Sequence, residues 1–295
     1  MILGDIRCRF LCWLLLTGAA LGQATINCSS CAEWNRPQTP FPIFGNTYYV
    51  GPHGLSSVLI VSEAGDVLID GALPQSAAQI VANIRSLGFR IEDVKIIVNS
   101  HVHFDHAGGI AELQRLSGAR VYASRWSAAV MRKGSVARDD PQYGVISPIA
   151  RVGNVTELHD GETLKLGGIE LTAHVTPGHT PGGTSWTWQS CEGKLCYEMV
   201  YADSLTAVSA PGYKFTRHAR VIDGFEKSFK FLETTPCDIL ITPHPEVSEL
   251  FDRMEQHRHG TVPDPLIDRG ACRQLAEKAR AQLAAREQQE ASEQK

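Results

Sequence analysis

Four side chains able to bind a metal stand within residues 101–106, His-Val-His-Phe-Asp-His: His101, His103, Asp105 and His106. Imidazole nitrogen and carboxylate oxygen suit zinc near neutral pH, and so many donors in one short segment can face two ions rather than one. Two more histidines sit in loops stiffened by proline and glycine, His179 in Pro177-Gly178-His179-Thr180 and His244 in Thr242-Pro243-His244-Pro245. Such loops hold a ligand without bulky neighbours that would crowd an ion. Five histidines and one aspartate make six ligands, enough for two zinc ions with positions left open for water. His53, His159, His174, His218, His257 and His259 lack a strand-end setting and read as ordinary polar residues.

Periodicity supplies the elements that must position these ligands. The apolar run Val94–Val98 reads as a buried parallel strand, and Ile110, Leu113 and Leu116 recur behind it at helical spacing. The metal segment therefore leaves a strand's carboxyl end, where open α/β sheets place their ligands. Further strands are expected at 47–50, 57–62, 67–70, 120–123, 155–158, 163–166, 169–175, 184–188, 197–201 and 239–241. Helices are expected near 76–87, 124–132, 219–233, 249–259 and 270–290. Residues 34–45 are Pro-rich and read as an irregular strap, and 133–153 read as a long surface loop bordering the site. No repeat or linker divides the chain, so 25–295 is expected to be one domain, with a polar tail after about residue 287.

The amino terminus reads as a secretory signal peptide over 1–24. Arg7 and Arg9 precede an apolar run from Phe10 to Leu16, and small residues follow up to Gly22 and Ala24. It is too short for a transmembrane span. The remaining chain of about 270 residues, 43% hydrophobic overall, is long enough to bury a sizeable core. Its formal charge of −4 becomes −5 when Asp5, Arg7 and Arg9 leave. A mildly acidic chain without basic runs argues against nucleic acid and anionic membrane as partners. Export makes disulfides the default for the six remaining cysteines. Cys191 and Cys196 flank a turn between two strand-like runs and suit a bridge closing a hairpin. Cys237 and Cys272 suit a bridge fastening the last helix to the sheet, and Cys28 and Cys31 either pair locally or stay reduced. Fifteen pairings are open in arithmetic.

The order Ile69-Asp70-Gly71, His101 to His106, Pro-Gly-His179-Thr, Tyr-Ala-Asp203-Ser204 and Pro-His244-Pro resembles the metallo-β-lactamase superfamily. Residues 176–188 and 201–206 resemble class B β-lactamases of the third subclass, as does the Cys237/Cys272 pair. The resemblance implies an αββα sandwich of the α/β (α+β) class, with two facing sheets, helices on both outer faces and the site along one edge. It implies a first zinc held by His101, His103 and His179 and a second held by Asp105, His106 and His244. A hydroxide between the ions would open the amide bond of β-lactam antibiotics, conferring resistance, with Asp105 orienting it. Asp70 would support the metal loop from behind, and Ser204, Thr206 and Gln142 would contact the substrate. Other subclasses carry a cysteine ligand at the Ser204 position. Were Asp203 a bridging ligand instead, the substrate would be a lactone, thioester or phosphoester. An exported enzyme of this kind is expected in the periplasm, as a monomer with a small-molecule substrate, no membrane anchor and no protein partner.

Overall fold

The computed structural model describes residues 25–293, so the segment 1–24, read above as a signal peptide, lies outside the described residues. Two sheets account for the strands. The first runs in sequence order, β1 (Phe41–Phe44), β2 (Thr47–Tyr49), β3 (Val58–Ile60), β4 (Asp66–Ile69), β5 (Val94–Val98), β6 (Arg120–Ser124) and β7 (Val155–Leu158). Pairing is antiparallel up to β4 and parallel from β4 to β7. The second sheet holds β8 (Thr163–Leu166), β9 (Ile169–Val175), β10 (Thr184–Glu192), β11 (Leu195–Tyr201) and β12 (Ile239–Ile241), in the order β12-β11-β10-β9-β8. The helices are α1 (Cys31–Trp34), α2 (Ala77–Ser86), α3 (Phe104–Ala107), α4 (Ile110–Ser117), α5 (Arg125–Lys133), α6 (Ala219–Thr234), α7 (Leu250–Arg258) and α8 (Ala271–Ser292).

Side-chain alternation along the strands builds the layers. Successive strand residues face opposite ways, so Leu68 and Ile97 join Ile80, Ile84, Leu113 and Met131 of the helices outside the first sheet. Val67, Ile69, Ile96 and Val98 turn the other way and meet Leu171, Trp186, Met199 and Tyr201 of the second sheet. Val200 and Leu240 continue outward to Phe225, Phe229, Ala276 and Leu283 on α6 and α8. Helix, sheet, sheet, helix is the result, as the resemblance implied. Asp70 and Ala72 adopt left-handed φ angles of 61° and 52° just beyond β4. The cost is about 1–2 kcal/mol each, whereas one fully buried large apolar side chain contributes about 1.5–3 kcal/mol. Trp186, Tyr201 and Ile69, all within 2% of complete burial, thus outweigh the strain at the site's edge.

Three readings change. The strap at 34–45 contains β1, paired to β2 with Phe41 opposite Tyr49. Pro42 is tolerated because β1 lies at the sheet's edge and Pro42 points outward. The stretch 133–153 has no strand or helix beyond the last residue of α5, but it is no mere surface loop, since Asp140, Ile149 and Val152 are buried. The expected polar tail is the end of α8, which continues to Ser292 and buries Glu290. Disulfides join Cys28 to Cys31, Cys191 to Cys196 and Cys237 to Cys272. Cys191 and Cys196 face each other in the β10–β11 hairpin register.

The Cys237–Cys272 bridge spans 35 residues, a loop whose closure is worth about 4 kcal/mol. Cys237→Ala with Cys272→Ala is expected to lower the melting temperature by roughly 8–15 °C. Thermal unfolding followed by circular dichroism measures this, and an unchanged midpoint would show that α8 docks without the bridge.

Candidate metal centre

The metal segment begins where β5 ends, and its backbone is tied down before the first histidine. Asp70 Oδ1 accepts the Ser100 N–H (2.7 Å), and Oδ2 accepts the Ser100 hydroxyl (2.7 Å) and the Tyr201 hydroxyl (2.8 Å). Trp186 Nε1–H donates to Asn99 O at 3.0 Å, and Thr184 N–H donates to Ser100 O at 2.8 Å. Both sheets therefore grip residues 99–100. Asp70 thus sits behind the metal loop and bonds its backbone. His103 then starts α3, its carbonyl accepting the N–H groups of His106 and Ala107.

His179 stands in the turn between β9 and β10, and His244 follows β12. The five rings converge. The His101 centroid lies 4.8 Å from His103, 4.5 Å from His106 and 4.8 Å from His179, and His106 lies 4.8 Å from His244. Donor atoms of His101, His103 and His179 lie within 4.8 Å of one another, as do those of His101, Asp105 and His106. His244 joins the second group through Asp105, its Nε2 lying 3.5 Å from Asp105 Oδ2.

Acceptors behind the rings set the tautomers. His101 Nδ1 lies 2.8 Å from Asp203 Oδ1, His103 Nε2 3.1 Å from Asp140 Oδ2, His179 Nδ1 2.8 Å from Thr206 O and His244 Nδ1 3.2 Å from Gly54 O. A nitrogen facing a carboxylate or carbonyl carries the proton, so the other nitrogen of each ring turns a lone pair toward the cluster. Burial, then the neighbouring His106, His103 and His179, hold His101 well below the usual histidine range. Burial and His103 bring His179 down to about 3. Burial would raise Asp105, but His106 and His244 hold its carboxyl well below the usual range. Burial would lower His244, yet the neighbouring Asp105 carboxylate raises it on balance.

Converging lone pairs and an ionised carboxylate cannot satisfy one another; they fit a cation. Both ring nitrogens of His106 are buried without a hydrogen-bond partner, and Nε2 lies 3.3 Å from Asp105 Oδ2. A metal ion at Nε2 would answer that orphan. The donor set, nitrogen with one carboxylate, matches a zinc-type site.

Asp203 is held behind His101 and outside both groups of converging donors. Gly183 makes room for it, since a Cβ there would lie 2.2 Å from Asp203 Oδ2. Ser204 and Gln142 line a cavity of about 420 Å³ that opens onto His103, Asp105, His179 and His244. Gln142 Nε2 lies 3.5 Å from both His103 Nδ1 and His179 Nε2, too long for a strong bond. Thr206 also lines the cavity, but its hydroxyl lies 3.1 Å from His179 Nδ1 and its carbonyl serves the same ring. Asp140 went unread in the sequence. Its only signal is an acid two residues before Gln142 in a loop bordering the site. The backbone acceptors at Gly54 and Thr206 have no signal at all. Each of the six other histidines lies outside the cluster.

The sequence profile of the metallo-beta-lactamase superfamily matches residues 50–244. The chain belongs to that superfamily. Among solved structures it is similar to the Rm3 metallo-beta-lactamase, with 52% identity, 90% of this chain and 99% of that chain covered, and a TM-score of 0.86. It is also similar to MEM-A1, a subclass B3 metallo-beta-lactamase from a soil metagenome library, at 49% identity over 88% and 99% of the two chains, TM-score 0.85. A ribonuclease of Thermus thermophilus is 30% identical over 51% of this chain and 35% of its own length. The chain spans between about a third and three fifths of the length of such curated superfamily relatives.

Asp203→Ala and Asp140→Ala remove the acceptors that orient His101 and His103. Each is expected to weaken zinc binding about 10–100-fold, measured by competition with a chromophoric chelator. Affinities equal to the wild-type value would show that packing alone orients the rings.

Proposed function

We propose that this chain hydrolyses the amide bond of β-lactam antibiotics with two zinc ions. The observation that carries the reading is 52% identity to the Rm3 metallo-beta-lactamase over 99% of that chain. His101, His103 and His179 would hold one ion; Asp105, His106 and His244 would hold the other. Zinc supplies, when bound, an ionised water at neutral pH and polarisation of the substrate carbonyl. The chain's own residues supply the rest. Asp203, Asp140, Thr206 and Gly54 keep the imidazole lone pairs turned inward. Asp105, whose carboxyl His106 and His244 hold well below the usual range despite its burial, would accept a hydrogen bond from the attacking water and fix its direction.

Ser204, half-buried on the cavity wall, would donate its hydroxyl to the substrate carboxylate, with Thr206 beside it. Gln142 lines the cavity beside His103 and His179, and Trp34, Ile146, Leu205 and Val208 would add apolar surface for the antibiotic's ring and side chain. The place of Asp203 behind His101 supports the β-lactam reading over a lactone, thioester or phosphoester one. Three disulfides support export to an oxidising compartment, which we read as the periplasm, where hydrolysis would confer resistance. No described helix is long and apolar enough to cross a membrane. A monomer acting on a small molecule without a protein partner completes the reading.

Purified protein with zinc is expected to turn over a carbapenem and a cephalosporin, to stop when a chelator is added, and to recover with fresh zinc. Absence of turnover in folded, zinc-loaded protein would refute the reading. His179→Ala is expected to cost hydrolysis by at least about 100-fold while the circular dichroism spectrum is retained. Ser204→Ala is expected to raise KM by about tenfold with little change in kcat, the value of one hydrogen bond to a charged group. A fall in kcat at constant KM would move Ser204 from binding to chemistry.

A further inference from the structure

We propose that Arg286 and Glu290, in the last turns of α8, are positioning residues for the metal and substrate site, acting through the segment 202–216. Glu290 is 2% exposed. Its carboxylate accepts the N–H groups of Phe215 (3.1 Å) and Thr216 (3.0 Å), the Thr216 hydroxyl (2.9 Å) and Arg286 Nε–H (2.9 Å). Arg286 reaches further up the loop, its Nη2 donating to Ser209 Oγ (3.2 Å) and Tyr213 O (3.4 Å). Burial alone would raise the Glu290 carboxyl, but Thr216 N–H and Arg286 bring it below the usual range, so the clamp is charged at neutral pH.

The clamped loop carries site chemistry. Ser204 and Thr206 line the cavity, and the Thr206 carbonyl sets the tautomer of His179. From 207 to 214 the loop has no strand or helix; its hydrogen bonds to the rest of the described protein run to Pro141, to Arg217 and His218, and to α8 and Glu293 just beyond it, while Ala207 and Tyr213 pack on the core beneath. The Pro141 tie, from Ala210 N–H at 2.9 Å, joins the loop to the neighbouring one, where Asp140 orients His103. Releasing α8 therefore loosens the outer partners of two rings, His179 and His103, together with two hydroxyls on the cavity wall. A buried carboxylate left without its partners is strongly destabilising, so the loop and the helix end are held as one unit.

The substrate half of this inference rests on the β-lactam reading; the metal half does not. The test compares Glu290→Ala with Arg280→Met, which breaks α8's ion pairs to Glu226 and Glu233 on α6, away from the loop. Both are assayed at a temperature where each is fully folded. Zinc affinity by chelator competition is expected to fall about tenfold in Glu290→Ala and to hold in Arg280→Met. KM for a cephalosporin is expected to rise about tenfold in Glu290→Ala, with kcat within about threefold of wild type. A change in either quantity confined to Glu290→Ala supports the proposal. No change in either, or equal changes in both variants, overturns it. Wild-type protein without turnover refutes the hydrolytic reading, and zinc affinity alone then decides the role of Glu290.

Discussion

The structure depends on where four imidazole protons are. Each of His101, His103, His179 and His244 has one nitrogen against a fixed oxygen, from Asp203, Asp140, the Thr206 carbonyl and the Gly54 carbonyl. An imidazole proton that is spoken for on one side leaves a lone pair on the other. The outcome is a group of bases facing inward, kept uncharged by burial and mutual repulsion in the case of His101 and His179. A site of this kind binds cations because nothing else can satisfy it.

The sandwich makes that arrangement affordable in space. One face of each sheet packs into the shared core through Val67, Ile69, Trp186 and Tyr201, and the loops leaving β5, β9 and β12 meet at one edge. Asp70 binds the first of these loops to β11 through Ser100 and Tyr201, so the metal segment cannot shift without moving both sheets. Positional accuracy at the site thus comes from the rigid part of the molecule rather than from the loops.

The sequence revealed the candidate ligands because metal binding demands particular residue types, and His101, His103, Asp105 and His106 stand within six residues. The strand at 94–98 was legible for a related reason: a buried parallel strand is a largely apolar run, broken there only by the exposed Lys95. What the sequence hid depends on tertiary contact. Asp140 is one acid among several in its loop, and a backbone carbonyl such as that of Thr206 carries no residue signature. Glu290 sits in a stretch of Glu, Gln and Arg whose composition describes an exposed surface, and only the docking of Phe215 and Thr216 buries it. β1 was masked by Pro42, which removes a backbone donor at an edge where none is needed.

His101 to His106 leave the first sheet, whereas His179 and His244 leave the second. An ion shared across that edge rivets the two halves of the sandwich together, and occupancy adds its binding free energy to the stability of the fold. Scarcity of metal would then shorten the protein's life as well as stop its chemistry, because a sandwich without rivets would open more often to proteases.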